Sequence, residues 1–320
     1  MVATSFIGQE TAWREWTTAI GSRRMHHAWL LAGARGLGKR EFARAAAEAL
    51  VKQEGAASPA FESHPDILLL DPLPANDDEA KKKADGKPYQ TRRNISVDQV
   101  RAMIRRLSTK PTLGERRAIV IDPADDMEKG AVNALLKVLE EPPAGTHFLL
   151  VAHQPGRLLP TVRSRCRVLR FAPLAPGEID AVLRRDRPGA DAATREAAIA
   201  ASQGSPGLAL SFVEHDLRGL HDLMQRILRE GDRDFALRGA LAGEVGARPA
   251  RDRLLAAIEL ARFELSGALA TSGPAQQSRI IESHAALVRL GGQAPTYNFD
   301  PGLLIMEIGG LLAAAALPRD

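Results

Sequence analysis

The sequence predicts an α/β domain with a five-stranded parallel sheet and helices on both faces, followed by a small helical lid and an all-α C-terminal domain. Three observations carry this. Five short apolar runs (28–32, 67–70, 118–121, 148–151 and 168–171) are separated by helical patterns, as in a doubly wound parallel sheet. A Gly-x-x-x-x-Gly-Lys segment joins the first run to the first long helix, the context a phosphate-binding loop requires. From Gly177 onward the apolar spacing is helical. Domain boundaries are expected at 1–171, 172–210 and 211–320, with Ala172-Pro173-Leu174-Ala175-Pro176 as the linker.

The composition is that of a soluble globular protein, 45% hydrophobic and 26% charged over 320 residues, large enough to bury a core without staples. Lys and Arg total 43 against 39 Asp and Glu, a net charge of +4. That balance permits a nucleic-acid or acidic partner without demanding one. The single cysteine, Cys166, excludes a disulfide within the chain and a cysteine-based zinc site. No charged segment followed by an apolar one opens the chain, so no secretory signal is read. The longest apolar run, Gly302 to Leu317, contains Glu307 and falls short of the roughly 20 residues that span a bilayer. A buried helix and a cytoplasmic location are expected.

In chain order, an amphipathic stretch (11–20) precedes His26 and His27. Adjacent histidines point apart on a helix or strand, so they read as a polar lead-in to the strand Ala28–Ala32. Gly33, Gly36 and Gly38 then let backbone N–H groups close around phosphate oxygens, and Lys39 can neutralise the outer phosphates. A serine or threonine should follow, because its hydroxyl holds Mg²⁺. Arg40 stands there instead and has no lone pair to give a metal. Two readings remain: a nucleotide loop stripped of its metal ligand, and a glycine-rich turn with no nucleotide.

The second run ends at Asp71, and residues 72–93 hold three prolines, Asp77-Asp78-Glu79 and Lys81-Lys82-Lys83. A mobile, solvated surface insert is expected. Ser96 and Gln99 have capping-box spacing and open a helix with Val97, Val100, Ile104 and Leu107 on one face. Arg101, Arg105 and Arg106 lie off that face, with Arg92 and Arg93 just before it. Such a basic patch suits a phosphate backbone and equally suits a solvated helix. The third run ends at Asp122, the edge where ligands of parallel sheets sit. Pro123 follows, where an ATPase commonly carries a glutamate base. A helix (131–140) with Val132, Leu135, Leu136 and Leu139 inward is stopped by Pro142 and Pro143. Helices are expected at 217–230, 234–241, 249–269, 276–290 and from Asp300-Pro301, an N-cap followed by an N1 proline.

Asn133-Ala134-Leu135-Leu136-Lys137, Leu139-Glu140-Glu141-Pro142-Pro143 and Arg163-Ser164-Arg165-Cys166, with the 26–31 lead-in and the loop 33–39, resemble the clamp-loader branch of the AAA+ ATPases. The resemblance covers residues 5–210 and is architectural beyond them. It implies that Ser164-Arg165-Cys166 matches the family's serine-arginine-cysteine motif, so that Arg165 is an arginine finger reaching a neighbouring subunit's ATP. It also implies that Arg93, Arg101 and Arg105 face DNA, that the C-terminal helices form a collar in a hetero-pentamer, and that sliding clamp and primed DNA are partners. Asp122 would be the vestige of a Mg²⁺ site, with Gly33, Gly36, Gly38 and Lys39 a degenerate phosphate loop. The chain departs from ATPase members in Gly204-Ser205-Pro206-Gly207-Leu208, where they carry a second-sensor arginine. It also departs in having no cysteine between Val51 and Asp66, so the family's zinc module is absent. A non-catalytic subunit needing no cofactor is therefore expected, against an active AAA+ ATPase and a stand-alone DNA-binding protein.

Overall fold

Five parallel strands make the sheet: β1 (Ala28–Ala32), β2 (Ile67–Leu70), β3 (Arg117–Ile121), β4 (Thr146–Ala152) and β5 (Arg167–Arg170), in the order β2-β3-β4-β1-β5. The computed structural model describes residues 6–22, 25–53, 55, 59–87, 89–246, 248–294 and 299–316. Leu317, the end of the expected apolar run, lies outside them. The chain divides into two compact units, Met1–Pro173 and Leu174–Asp320.

The first unit buries both faces of its sheet, which is why its strands read as continuous apolar runs. Alternate residues serve opposite faces. Leu30, Leu68, Ile119, Ile121, Phe148 and Leu150 belong to one core. Val100, Met103 and Leu107, on and just after α4 (Val97–Arg106), and Leu135 and Leu139 of α5 (Lys129–Glu140) complete it. Trp29, Leu31, Ile67, Val120, Leu149 and Val151 belong to the other core, with Trp16 of α1 (Glu10–Ile20) and Phe42 of α2 (Lys39–Val51). The Trp16 and Trp29 rings meet edge-on at 5.2 Å, and each indole N–H is satisfied, by the carbonyls of Ala46 and His26 respectively. His27 Nε2 bonds the Leu139 carbonyl at 2.8 Å and fastens the entry of β1, and the His26 and His27 rings stack at 4.6 Å instead of pointing apart.

The capping box at Ser96 and Gln99 forms. Met103 is buried on α4, while Val97 and Ile104 are half-buried. β5 begins one residue before its expected start, and Phe171 is buried just beyond it.

The insert 72–93 is a correction to the expectation of a mobile loop. Its residues 77–84 form the helix α3 (Asp77–Ala84), and an antiparallel bridge pairs Pro74 with Thr91. The Asn76 side chain accepts from the Glu79 N–H at 3.0 Å. Acids fill the first turn and lysines the last, matching the helix dipole at both ends. Glu79 is buried and accepts from the Gln90 N–H at 2.6 Å and from Lys82 at 2.7 Å. This carboxylate ties the helix to the returning strand segment.

Among its described residues the second unit is all α. It contains α7 (Pro176–Asp186), α8 (Ala192–Ser202), α9 (Pro206–Glu214), α10 (Arg218–Glu230), α11 (Ala236–Val245), α12 (Arg251–Thr271), α13 (Pro274–Gln293) and α14 (Pro301–Ala315), after the one-turn α6 (Pro160–Arg163) of the first unit. Helix α12 packs against α8, α9, α10, α13 and α14. The expected division at residue 210 thus falls inside one unit. Ser205 caps α9 by accepting from the Leu208 N–H at 3.2 Å, so Gly204 to Leu208 serves as a helix start. Helix α14 buries Leu304, Ile305, Ile308 and Leu312 but leaves Leu303 73% exposed, and Ile281 of α13 is 57% exposed. No helix among the described residues is long and apolar enough to cross a membrane.

Candidate functional site

The phosphate loop runs from the end of β1 to the start of α2. A Cβ on Gly33 would lie 2.5 Å from the Phe171 carbonyl oxygen, so only glycine lets the chain turn beneath the end of β5. Gly38 has φ 77° and forms the N-cap of α2, a left-handed conformation that favours glycine. Lys39 is 2% exposed. Its Nζ donates to the Gly33 carbonyl at 2.8 Å and to that of Ala34. Burial lowers its pKa from 10.5 to about 8, against the opposing pull of Asp125 and Asp122.

Arg40 turns to the strand ends. Its Nε lies 3.1 Å from Asp122 Oδ2, and its Nη2 lies 3.0 Å from Asp71 Oδ2. Asp122 is 5% exposed; burial raises its pKa and the Arg40 charge opposes that rise. The backbone carbonyl of Asp71 accepts from the Gln99 side chain at 2.9 Å, which links this cluster to the N-terminus of the basic helix α4. Asp125 accepts from the backbone N–H groups of His153 and Gln154, the latter at 2.7 Å. His153 is pushed down to about 4, chiefly by burial and then by the charges of Lys39 and Arg35.

The loop 33–39 follows β1 and Asp122 follows β3, so they lie at the same end of the parallel sheet. Asp71, Asp125, His153 and Gln99 join them there, none of them assigned to this site from sequence. Asp71 and His153 directly follow β2 and β4, and strand ends were the available signal.

The Lys39 environment gives a pH test. Between pH 8 and 10.5 the unfolded lysine holds more proton than the folded one, so stability should rise with pH across that window. Denaturant titrations of wild type and Lys39→Met should show that rise in the wild type minus variant difference. A difference that is flat or falls with pH would contradict the assignment.

Arg165 lies elsewhere, in the turn after α6. Its Nη1 donates to the Thr161 carbonyl at 2.9 Å and its Nη2 pairs with Glu140, the last residue of α5. About a third of the side chain is exposed, 33%. The neighbouring Arg167 is held by Glu15 at 2.7 Å and by the Trp29 ring, 4.9 Å from its centroid. Arg93, Arg101 and Arg105 are exposed. Arg101 and Arg105 share a face of α4 one turn apart, with Asp98 3.8 Å from Arg101. Arg93 lies before the helix cap, and its charge acts on Asp126.

The family model described as DNA polymerase III, delta subunit, matches residues 8–175, more than half of the chain. The chain belongs to the DNA polymerase III delta subunit family. The match ends at the linker between the two units. The chain is 38% identical over 219 residues to the DNA polymerase III subunit delta' of Pseudomonas aeruginosa, covering 64% of this chain and 60% of that protein. It is 39% identical over 132 residues to the delta' subunit of Escherichia coli, covering 40% and 38%. To the subunit gamma/tau of Mycobacterium bovis it is 31% identical over 221 residues, covering 68% and 37%. The matches therefore span three fifths or less of these relatives' lengths. Among solved structures, a gamma subunit-related protein of Thermotoga maritima superposes with a TM-score of 0.48 at 18% identity, covering 94% of this chain and 98% of that one. Membership of this family and the parallel α/β sheet with an all-helical second unit agree with the AAA+ clamp-loader resemblance read from the motifs.

Proposed function

We propose that this delta-family chain is a non-catalytic, stator-like subunit of the DNA polymerase III clamp loader, which helps to place the sliding clamp on primed DNA during replication. Its partners would be gamma/tau-type and delta-type subunits in a hetero-pentamer, the clamp, and DNA within the assembly. It would serve a DNA-directed DNA polymerase holoenzyme without performing nucleotidyl transfer itself. It would need no cofactor and no zinc.

The observation that carries this reading is the placement of Arg40. The position that should offer a hydroxyl to Mg²⁺ offers a guanidinium, already bound to Asp122 and Asp71. Pro123 then stands where a base for the attacking water would be. Both losses fall on hydrolysis, while the serine-arginine-cysteine motif is intact. In the proposed assembly Arg165 exchanges the Glu140 carboxylate for the phosphates of a neighbour's ATP. One charge-assisted contact replaces another, so the exchange does not strand a buried charge. Arg93, Arg101 and Arg105 would touch DNA phosphates, following duplex shape and weakening with salt. The exposed Leu303 and Ile281 fit a collar face that meets other subunits.

The test is reconstitution with the partner subunits, reading DNA-stimulated ATP hydrolysis with and without Arg165. Hydrolysis by the isolated chain that disappears with Lys39→Ala would instead support an active ATPase of the gamma/tau type. Tight, salt-sensitive DNA binding by the lone chain would support a stand-alone DNA-binding protein.

A further inference from the structure

We propose that Arg40 is a built-in cation occupying the place of the divalent metal, tying the ends of β2 and β3 to the start of α2. The inference deepens the reading of the loop as hydrolytically silent.

Two nitrogens of one guanidinium each meet a carboxylate from a different strand end, Nε with Asp122 at 3.1 Å and Nη2 with Asp71 at 3.0 Å. A planar guanidinium with separate donors can bridge two acids in this way, which a single ammonium does less well. Asp122 is buried, and a buried carboxylate needs a counter-charge. In working phosphate loops the acid at the end of the strand and the hydroxyl after the lysine hold the metal between them. Here the residue that removes the hydroxyl also brings the positive charge to that acid. The residues present do not fit a divalent ion. Both carboxylates are engaged by the guanidinium, which fills the space between them and repels a second cation. The charge balance of the strand ends is therefore covalently fixed and indifferent to divalent cations.

The experiment uses the isolated full chain, Arg40→Ala, Arg40→Thr and the double variant Arg40→Ala with Asp122→Asn. Each is melted in EDTA and in millimolar Mn²⁺, and bound Mn²⁺ is counted by electron paramagnetic resonance. Wild type should melt at the same temperature in both media and bind no more Mn²⁺ than the double variant does. Both single variants should melt about 3 °C lower in EDTA, the size of a partly exposed ion pair in a domain of this length. Mn²⁺ should restore them, and the double variant should not respond. Wild type stabilised by Mn²⁺, or single variants that Mn²⁺ does not restore, would overturn the proposal. ATP hydrolysis by the wild-type chain would refute the silent-loop reading instead, so the two failures are distinguishable.

Discussion

If Arg165 acts in trans as proposed, an assembly carrying Arg165→Ala is expected to lose hydrolysis at the neighbouring ATP site it would serve, by roughly 10³ to 10⁵, the worth of an arginine finger where it has been measured. The magnitude follows from electrostatics. Charge spreads over the transferring phosphoryl oxygens in the transition state, and a guanidinium delivered into a site shielded from water stabilises it far more than it would in solution. Arg165 is suited to this because it is partly exposed and, among the described residues, its side chain is held by Glu140, Thr161 and Ser164. The total rate of the proposed assembly should fall by the share of that site alone. Single-turnover measurement should therefore show one slow class of bound ATP. Arg165→Lys should recover little, because an ammonium lacks the forked geometry that matches phosphate oxygens.

Arg117→Met should cost about 3–5 kcal/mol of stability, the range for breaking a buried charge network by removing one partner. The Arg117 side chain is nearly inaccessible, and its nitrogens donate to the carbonyls of Arg106 at 2.9 Å, Thr109 at 3.1 Å and Lys110 at 2.8 Å. Asp66 is 1% exposed, lies 3.9 Å away, and accepts from the backbone N–H groups of Thr112 and Leu113 at 2.6 and 2.7 Å. Methionine fills the volume but leaves three carbonyls without their donor and the buried Asp66 carboxylate without its counter-charge. Those carbonyls lie at and beyond the C-terminus of α4, so the damage should reach the helix that carries Arg101 and Arg105. Chemical denaturation gives the magnitude, and hydrogen exchange over residues 105–113 should show where the loss lies. A cost below 1 kcal/mol would mean that the cluster does not clamp the helix.

Much of the fold could be read from the chain because the sheet is buried on both sides. β1, β3 and β4 have no polar face to interrupt their apolar runs. β5 is an edge strand with only Leu169 buried, so its apolar signal is thin and its start was misplaced by one residue. Helix α3 escaped for a different reason. It has no apolar stripe; its supports are the Asn76 cap, the ordered charges and the buried Glu79, which periodicity does not register. In the site, the glycine spacing, Lys39, Arg40 and Pro123 were legible because each is a local departure from, or match to, a known pattern. The partners of Arg40 and Arg165 were not. Asp71 is 31 residues from Arg40 and Glu140 is 25 from Arg165. Only the strand order and the docking of α5 bring them together.

The central claim is that chemistry has left this chain's own loop and survives at its surface. Its most direct test is a comparison of Lys39→Ala and Arg165→Ala, each in the reconstituted assembly, by DNA-stimulated ATPase rate. The account predicts that Lys39→Ala leaves the rate unchanged while Arg165→Ala removes one site's contribution. A rate that falls with Lys39→Ala and is untouched by Arg165→Ala would contradict it.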